Sequence, residues 1–576
     1  AAANRFIPDG NGGFTNALES VKTQGVAPDA QILTMKVFGA RGGAYESDYM
    51  VAIEDAIVLG CDAVNLSLGT GFPGWDRNKE DSYQQILEKL TESGIVAVMS
   101  AGNSGTWVEN SKNSTGYLYA TDVSMTTTGS PGTSRNALSV ASVDNVGSTG
   151  YYLKSGESMI FYGETEYKNA PMATLAGEQK YLLIDGYGTE EDLAALGDAV
   201  QGKILACSRG SISFYQKGNF AAAAGAIGTI VYNNQPGTIN MDLTDYTYTA
   251  PCISITQADG AILRSNATAV KDGQGNTLYY EGTITVSSQV AVSRPEETPE
   301  TYTMSSFSSW GVPGSLELKP EITAPGGSIY SVNGAHNGEG AHTSHTAYET
   351  MSGTSMASPQ VAGMAAVMGQ YIRENKLDEK TGLDARALIN SLLMSTAEPL
   401  FDNDNEGAYY YPVLQQGAGL VNVGAAVKAE SYILMDESST DSAADGKVKA
   451  ELGDDPDRTG KYTVSFSINN LTDAELTYAL SAEMFTQAPF TYYVNADKSA
   501  EGYYMHTLTT EIGSTVEWTV NGVAAADATA VVPASGKTTV VANIQLDADD
   551  MAAMDECYAN GAYVEGFVYA QPVTTA

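Results

Sequence analysis

Apolar residues in the first hundred positions come in two alternating styles. Residues 30–38 (AQILTMKVF), 61–68 (CDAVNLSL) and 95–99 (IVAVM) are short and almost continuously apolar. Residues 47–59 (SDYMVAIEDAIVL) and 81–93 (DSYQQILEKLTES) place apolar side chains three and four apart. The first style predicts strands buried on both faces. The second predicts amphipathic helices, the first of them capped by Ser47 or Asp48. Buried strands separated by helices predict an α/β architecture with a parallel sheet covered on both sides.

The pattern changes twice more. Residues 151–300 read as many short strands with Gly- and Asn-rich turns, among them 203–210 and 226–234, with a small-residue helix at 218–225. This predicts a compact insert with its own core, and 293–302 (SRPEETPETY) reads as the linker leading out of it. From residue 305 the α/β style resumes, with helices at 358–375 and 381–396. Beyond about residue 430, segments 461–470, 474–483 and 537–546 alternate at period two, which predicts a β-sandwich module. The 576 residues fit roughly three or four domains. The expected organisation is an α/β domain in two parts (1–150 and 301–429), the insert (151–300) and the sandwich (430–576).

Charge narrows the partners. Asp and Glu number 68 against 30 Lys and Arg, a formal charge of −38, which repels nucleic acid and anionic lipid surfaces. Cys61, Cys207, Cys252 and Cys557 are scattered with no C-x-x-C pair, so neither a disulfide framework nor a structural zinc site is expected. No apolar run reaches the roughly 20 residues that span a bilayer. Low cysteine with 34 Tyr and 59 Gly leans towards an exported protein. The chain opens at Ala1 with no initiating Met or signal segment, so a fragment of a longer protein is expected.

Three segments carry candidate chemistry. Gly353-Thr354-Ser355-Met356-Ala357-Ser358-Pro359 lies between a polar loop and an apolar helix. A Ser at a helix mouth faces uncapped N–H groups and the positive end of the macrodipole, so an oxyanion beside it is stabilised. Pro359 suits a helix start, where a missing N–H would go unpaired anyway. Alone, a G-x-S triplet fits a simple cap equally well. Ser100-Ala101-Gly102-Asn103-Ser104-Gly105 follows the apolar strand at 95–99. The Asn103 carboxamide is a suitable donor to a developing alkoxide, although N-S-G by itself also suits a turn. Val64-Asn65-Leu66-Ser67-Leu68-Gly69 ends a strand to which an extended peptide could add, with Leu66 reading as core.

Together these segments resemble the subtilisin-like serine peptidases, or subtilases, and in particular the large cell-envelope group of lactocepins and streptococcal C5a peptidases. Residues 25–30 (GVAPDA), 307–311 (FSSWG), 319–326 (KPEITAPG) and 416–422 (QGAGLVN) extend the resemblance over most of 1–429 outside the insert. It implies Ser355 as nucleophile and Asn103 as second oxyanion donor. Ser67, Leu68 and Gly69 would line one side of the substrate channel, and Ala101 and Gly102 the other. It also implies a protease-associated domain for the insert and a fibronectin-III-like module for the sandwich. The expected activity is serine endopeptidase action on extracellular protein or peptide substrates. The expected setting is a secreted or cell-envelope bacterial protein, monomeric and needing no cofactor for its chemistry. Calcium is common in the family. Residues 402–407 (DNDNEG) open like a calcium loop, but Val413 stands where an EF-hand needs Glu, so a solvated acidic turn is expected.

The family's H-G-T-H and D-[ST]-G motifs, which carry its base and the orienting Asp, are absent. The four histidines are His336, His342, His345 and His506, none in that motif. His342 and His345 read as part of a polar loop, not as a base or a metal pair. Gln360 stands where many family members carry His. Ala1-Ala2-Ala3-Asn4 resembles the tail of the run after the family's catalytic His, so His and Asp are expected upstream and this chain alone is expected to be nearly inactive. Two rivals were weighed. One is a non-catalytic adhesion protein with a relic peptidase domain. The other, an α/β-hydrolase, fails because Ala357 stands where its nucleophile elbow has Gly.

Overall fold

Every residue of the strand Val96–Ser100 is buried, so it must have neighbours on both edges and both faces. In the computed structural model Ala63–Leu66 (β1), Val96–Ser100 (β2), Leu138–Asp144 (β3) and Ile322–Gly327 (β4) form a sheet in the order β4-β3-β2-β1, with β1, β2 and β3 parallel. On one face Leu66, Ala97 and Met99 meet Ile53 of the helix Glu46–Val58 (α1) and Leu87 and Leu90 of Ser82–Glu92 (α2). On the other, Val96, Val98, Leu138, Val140 and Ile322 meet the helices Thr354–Asn375 (α3) and Ala385–Ser395 (α4). α3 presents Ala357, Val361, Ala365, Met368 and Ile372, a stripe at three- and four-residue spacing. Each fully buried aliphatic side chain here contributes about 1.5–3 kcal/mol.

The structure describes residues 6–8, 11, 14–16, 23–39, 42–70, 82–105, 127–165, 167–234, 239, 241–293, 301–311, 317–332, 348–402, 409–493, 501–558 and 561–573. The chain divides into two compact units. One comprises Ala1–Gly25, Asp144–Glu297 and Gly327–Ser352, the other Val26–Val143, Thr298–Gly326 and Gly353–Ala576.

The first unit is built on a nine-stranded sheet. Gly177–Leu183, Ile204–Ser208, Gly228–Tyr232 and Cys252–Ile255 run parallel at its centre. The helix Phe214–Ala223 connects two of these strands, displaced from the expected 218–225. Thr277–Ser293, 17 residues long, pairs antiparallel with Gly177–Leu183 and Ser148–Ser155. The unit has apolar clusters of its own, one around Ile204, Ile230 and Ile253 and one around Leu205, Val231 and Tyr246.

Within the second unit, residues beyond 430 form two antiparallel sheets over one core. Val464, Phe466 and Ile468 on Lys461–Asn470 and Val540, Ala542, Ile544 and Leu546 on Lys537–Leu546 face Tyr478, Leu480 and Met484 on Leu476–Tyr493. The period-two reading of 461–470 and 537–546 thus matches the elements residue for residue, while the third strand runs ten residues past its expected end at 483.

Three expectations are corrected. Residues 30–38 are not a strand: Ile32, Leu33 and Phe38 are exposed, and the segment pairs with none of the described strands. An apolar run becomes a strand only where a neighbour takes its N–H and C=O groups. The helix expected at 358–375 begins at Thr354, and the one expected at 381–396 is two, Leu377–Thr381 and α4, separated at Gly382 (φ +73°). The linker at 294–300 lies outside the described residues.

A buried ionic cluster ties the sheet to the segment after residue 440. Glu321, just before β4, meets Lys319 at 2.6 Å, Lys447 at 2.9 Å and Lys449 at 3.2 Å. Lys319 and Lys447 also donate to the carbonyl of Ala137, which precedes β3. All four side chains are essentially inaccessible to solvent, so each charge depends on these partners.

Candidate active site

The ends of β1 and β2 converge on the first turn of α3. Gly353 N–H donates to the Gly326 carbonyl (2.9 Å), which anchors the helix mouth to β4. Thr354 then clamps Asn103 twice. Its backbone N–H and its hydroxyl each donate to Asn103 Oδ1 at 2.9 Å. With its oxygen held, the carboxamide must turn its N–H₂ the other way. A Cβ built on Gly353 would lie 3.3 Å from Asn103 Nδ2 and 3.6 Å from the Ser355 backbone nitrogen. Both N–H donors therefore lie near one point beside Gly353, with Met356 Sδ also 3.6 Å from it. Ser355 is half-buried and Asn103 exposed, so that point is reachable.

The other residues singled out from sequence play different parts. The Ser355 hydroxyl donates to the Ser67 carbonyl at 3.4 Å, so the nucleophile candidate touches the end of β1. Ala101 is fully buried. Its N–H donates to Val140 (3.1 Å) and its carbonyl accepts from Gly129 (2.9 Å), so both backbone groups are already engaged. Gly102 is likewise committed, donating to Thr354 Oγ1 (3.1 Å) and accepting from Ser309 N–H (3.0 Å). It also needs to be glycine: its φ is +113°, and a Cβ would meet Ser309 Oγ at 3.0 Å. Leu68 is half-buried beside the Leu66–Met99 cluster. Gly69 is exposed, and a Cβ there would stand 2.6 Å from the Ser130 carbonyl.

Two contributors escaped the sequence reading. Thr354 sits inside the motif, yet its double hold on Asn103 spans 251 residues. Ser309 Oγ accepts from Ser104 N–H at 2.9 Å and steadies the turn that carries Asn103. His336, His342, His345 and residues 403–407 lie outside the described residues, and His506 is placed only by its backbone, on Glu501–Ile512. Gln360 donates to the Pro325 carbonyl at 2.6 Å and so supports α3 from β4. Among the described residues no group of three or more His, Cys, Asp or Glu side chains could hold a metal ion, and no helix is long and apolar enough to cross a membrane.

Comparison with known proteins bears on the family of the chain. Residues 9–419 match the model of the subtilase family. The PII-type proteinase of Lacticaseibacillus paracasei is 33% identical over 81% of the chain and 24% of its own length. The minor extracellular protease Vpr of Bacillus subtilis is 31% identical over 71% of the chain and 44% of its own length. A C5a peptidase of Streptococcus pyogenes is 29% identical over 79% and 35%. The chain thus spans about a quarter of the L. paracasei proteinase and less than half of the other two. With the family model covering both arms of the α/β sheet and the turn that carries Ser355, this chain belongs to the subtilase family, with its subtilisin-like α/β fold.

Proposed function

We propose that this chain carries the nucleophile and oxyanion hole of an extracellular serine endopeptidase. The observation that supports the reading best is the convergence of Ser355 N–H and Asn103 Nδ2 on one point beside Gly353, 3.6 Å and 3.3 Å from where a Cβ would stand. In this reading Ser355 Oγ attacks the carbonyl carbon of a peptide bond. The carbonyl oxygen becomes an alkoxide and accepts hydrogen bonds from those two donors, which are already in place and cost no reorganisation. The Ser355 proton passes to a base, and the base returns it to the leaving amine.

That base and its orienting Asp are proposed to lie outside these 576 residues, because no family His motif occurs in them. The Ala1–Ala576 chain alone is then nearly inactive. The substrate is a protein or peptide, bound along Ser67–Gly69, and no cofactor takes part in the chemistry. Residues 151–300 are read as a protease-associated insert and the paired sheets beyond 430 as a fibronectin-III-like module. The setting is proposed to be secreted or cell-envelope associated in a bacterium, and the name of the minor extracellular protease Vpr supports its extracellular side.

The test is labelling with a fluorophosphonate and hydrolysis of casein by the full-length protein. Ser355→Ala is expected to abolish both. Asn103→Ala is expected to lower kcat about 10²–10³-fold with KM nearly unchanged. Labelling that persists in Ser355→Ala, or full casein hydrolysis by Asn103→Ala, would exclude this assignment. Full activity from the 576-residue chain alone would place the base inside it.

A further inference from the structure

Pro359 creates a vacancy in the hydrogen bonding of the very turn that carries Ser355. An α-helix satisfies the carbonyl of residue i with the N–H of residue i+4. α3 begins at Thr354, so Pro359 is its sixth residue and not, as the sequence suggests, a first-turn residue whose N–H is idle. The carbonyl that Pro359 should serve is that of Ser355, and proline has no N–H to give. The structure fills the gap from another element. Ser67 Oγ donates to the Ser355 carbonyl at 2.8 Å across 288 residues of sequence.

The proton on Ser67 is directed there by its neighbours. Asn65 Nδ2 donates to Ser67 Oγ at 3.0 Å, which occupies an acceptor position on that oxygen. Asn65 Oδ1 accepts from Ser358 Oγ at 2.8 Å, which commits the Ser358 hydrogen. Ser67 Oγ and Ser358 Oγ stand 3.0 Å apart. With the Ser358 hydrogen spent on Asn65, Ser67 is the donor of this pair of hydroxyls, and of the two acceptors open to its hydrogen the Ser355 carbonyl is the nearer, at 2.8 Å against 3.0 Å for Ser358 Oγ. Ser67 and Ser355 then form a reciprocal pair: the hydroxyl of each donates to the carbonyl of the other.

We propose that Ser67 and Asn65 are positioning residues for the reaction, with the Ser67 hydroxyl standing in for the backbone N–H that Pro359 lacks and thereby fixing the backbone of Ser355. This gives the Ser67 side chain a role beyond the one that family resemblance implies for the residue, a wall of the substrate channel. It rests on Ser355 being the nucleophile.

A double-mutant cycle between residues 67 and 359 tests it, because the two are linked through the Ser355 carbonyl. In the full-length protein Ser67→Ala is expected to lower kcat about tenfold while KM stays within about twofold, since the loss falls on orientation. Ser67→Thr, which keeps the hydroxyl, should retain most activity. Pro359→Ala restores an N–H at i+4, so adding it to Ser67→Ala should recover most of the lost kcat. Asn65→Ala should reproduce a weaker form of the Ser67→Ala defect.

A rise in KM with kcat unchanged, or no recovery in the Ser67→Ala/Pro359→Ala protein, would overturn the proposal and leave Ser67 a channel wall only. The same cycle read as thermal unfolding separates this inference from the peptidase reading. Coupling in stability with no Ser355-dependent hydrolysis in the parent would discard the peptidase assignment and keep the hydrogen-bond replacement. Additive effects on both readouts would discard the replacement itself. If Ser67→Ala does not fold, recovery of folding on adding Pro359→Ala supports the proposal and failure to recover counts against it.

Discussion

At the scale of single residues, the candidate site works by immobilising donors, and Thr354 does most of that. Its hydroxyl is shared: it accepts from Gly102 N–H and donates to Asn103 Oδ1. Thr354→Val keeps the shape but removes both bonds, leaving a backbone N–H without its acceptor and Asn103 held by a single contact. We expect kcat to fall about tenfold with little change in KM, because a misaimed oxyanion donor affects the transition state and not the ground state. Thr354→Ser, which keeps the oxygen, should stay close to the parent. Equal losses in both variants would mean that the methyl group and its packing matter, and that the hydroxyl does not. The proposed roles of Asn103 and Ser355 are suggested by short contiguous motifs because each motif is local in the chain. The contacts that aim those groups are not, since Thr354–Asn103 and Ser67–Ser355 join segments more than 250 residues apart.

At the scale of elements, periodicity was informative wherever one element buries one face. Lys461–Asn470 and Lys537–Leu546 end where their alternation ends, because one side of each faces the shared core. It failed where pairing decides. Residues 30–38 are as apolar as β2 yet form no ladder, and the parallel centre of the insert could not be told from a set of hairpins. The start of α3 was set four residues too late because Thr354 and Ser355 are polar and Ala357 is small, and their helicity comes from docking on the sheet, chiefly on β1 and β2. That docking is close at Gly326. A Cβ there would meet Ser142 Oγ at 2.4 Å, the Gly353 carbonyl at 2.6 Å and Ala357 Cβ at 3.0 Å. Gly326→Ala must therefore push the helix mouth off the sheet. We expect a loss of about 1–3 kcal/mol in stability, as for other overpacked cores, with a fall in kcat beyond it because the Gly353–Ser355 turn moves. Chemical denaturation and steady-state kinetics on the same sample would separate the two, and an unchanged kcat would show that the turn is held from β1 alone.

At the scale of the whole molecule, a buried carboxylate, Glu321, and a half-buried one, Glu565, couple distant segments and are shifted in opposite senses. Burial alone would raise Glu321, but the ammonium groups of Lys319, Lys447 and Lys449 outweigh it and hold the carboxyl well below its ordinary value of 4.5. Its contribution is present above about pH 4.5 and is lost as the pH falls further. Glu321→Gln leaves three buried lysines facing a neutral group, and should cost about 3–5 kcal/mol at neutral pH. Glu565 is the opposite case. It accepts from Leu414 N–H (3.0 Å) and Gln487 Nε2 (2.6 Å), but no cation lies among these partners, and burial pushes its carboxyl up to about 7. A raised carboxyl favours folding in its protonated form. That contribution is complete below about pH 4.5 and declines as the pH rises through 7. The shift from 4.5 to about 7 corresponds to roughly 3 kcal/mol, so the pH slope is large enough to measure. Glu565→Gln cannot ionise. Its stability relative to the parent should therefore improve steadily between pH 5 and pH 8 and level off on either side, read by urea unfolding at fixed ionic strength. A parallel pair of pH profiles would mean that Glu565 ionises in the folded protein as it does in water, and that the contact between Leu414 and Glu565–Pro572 is not sensitive to pH.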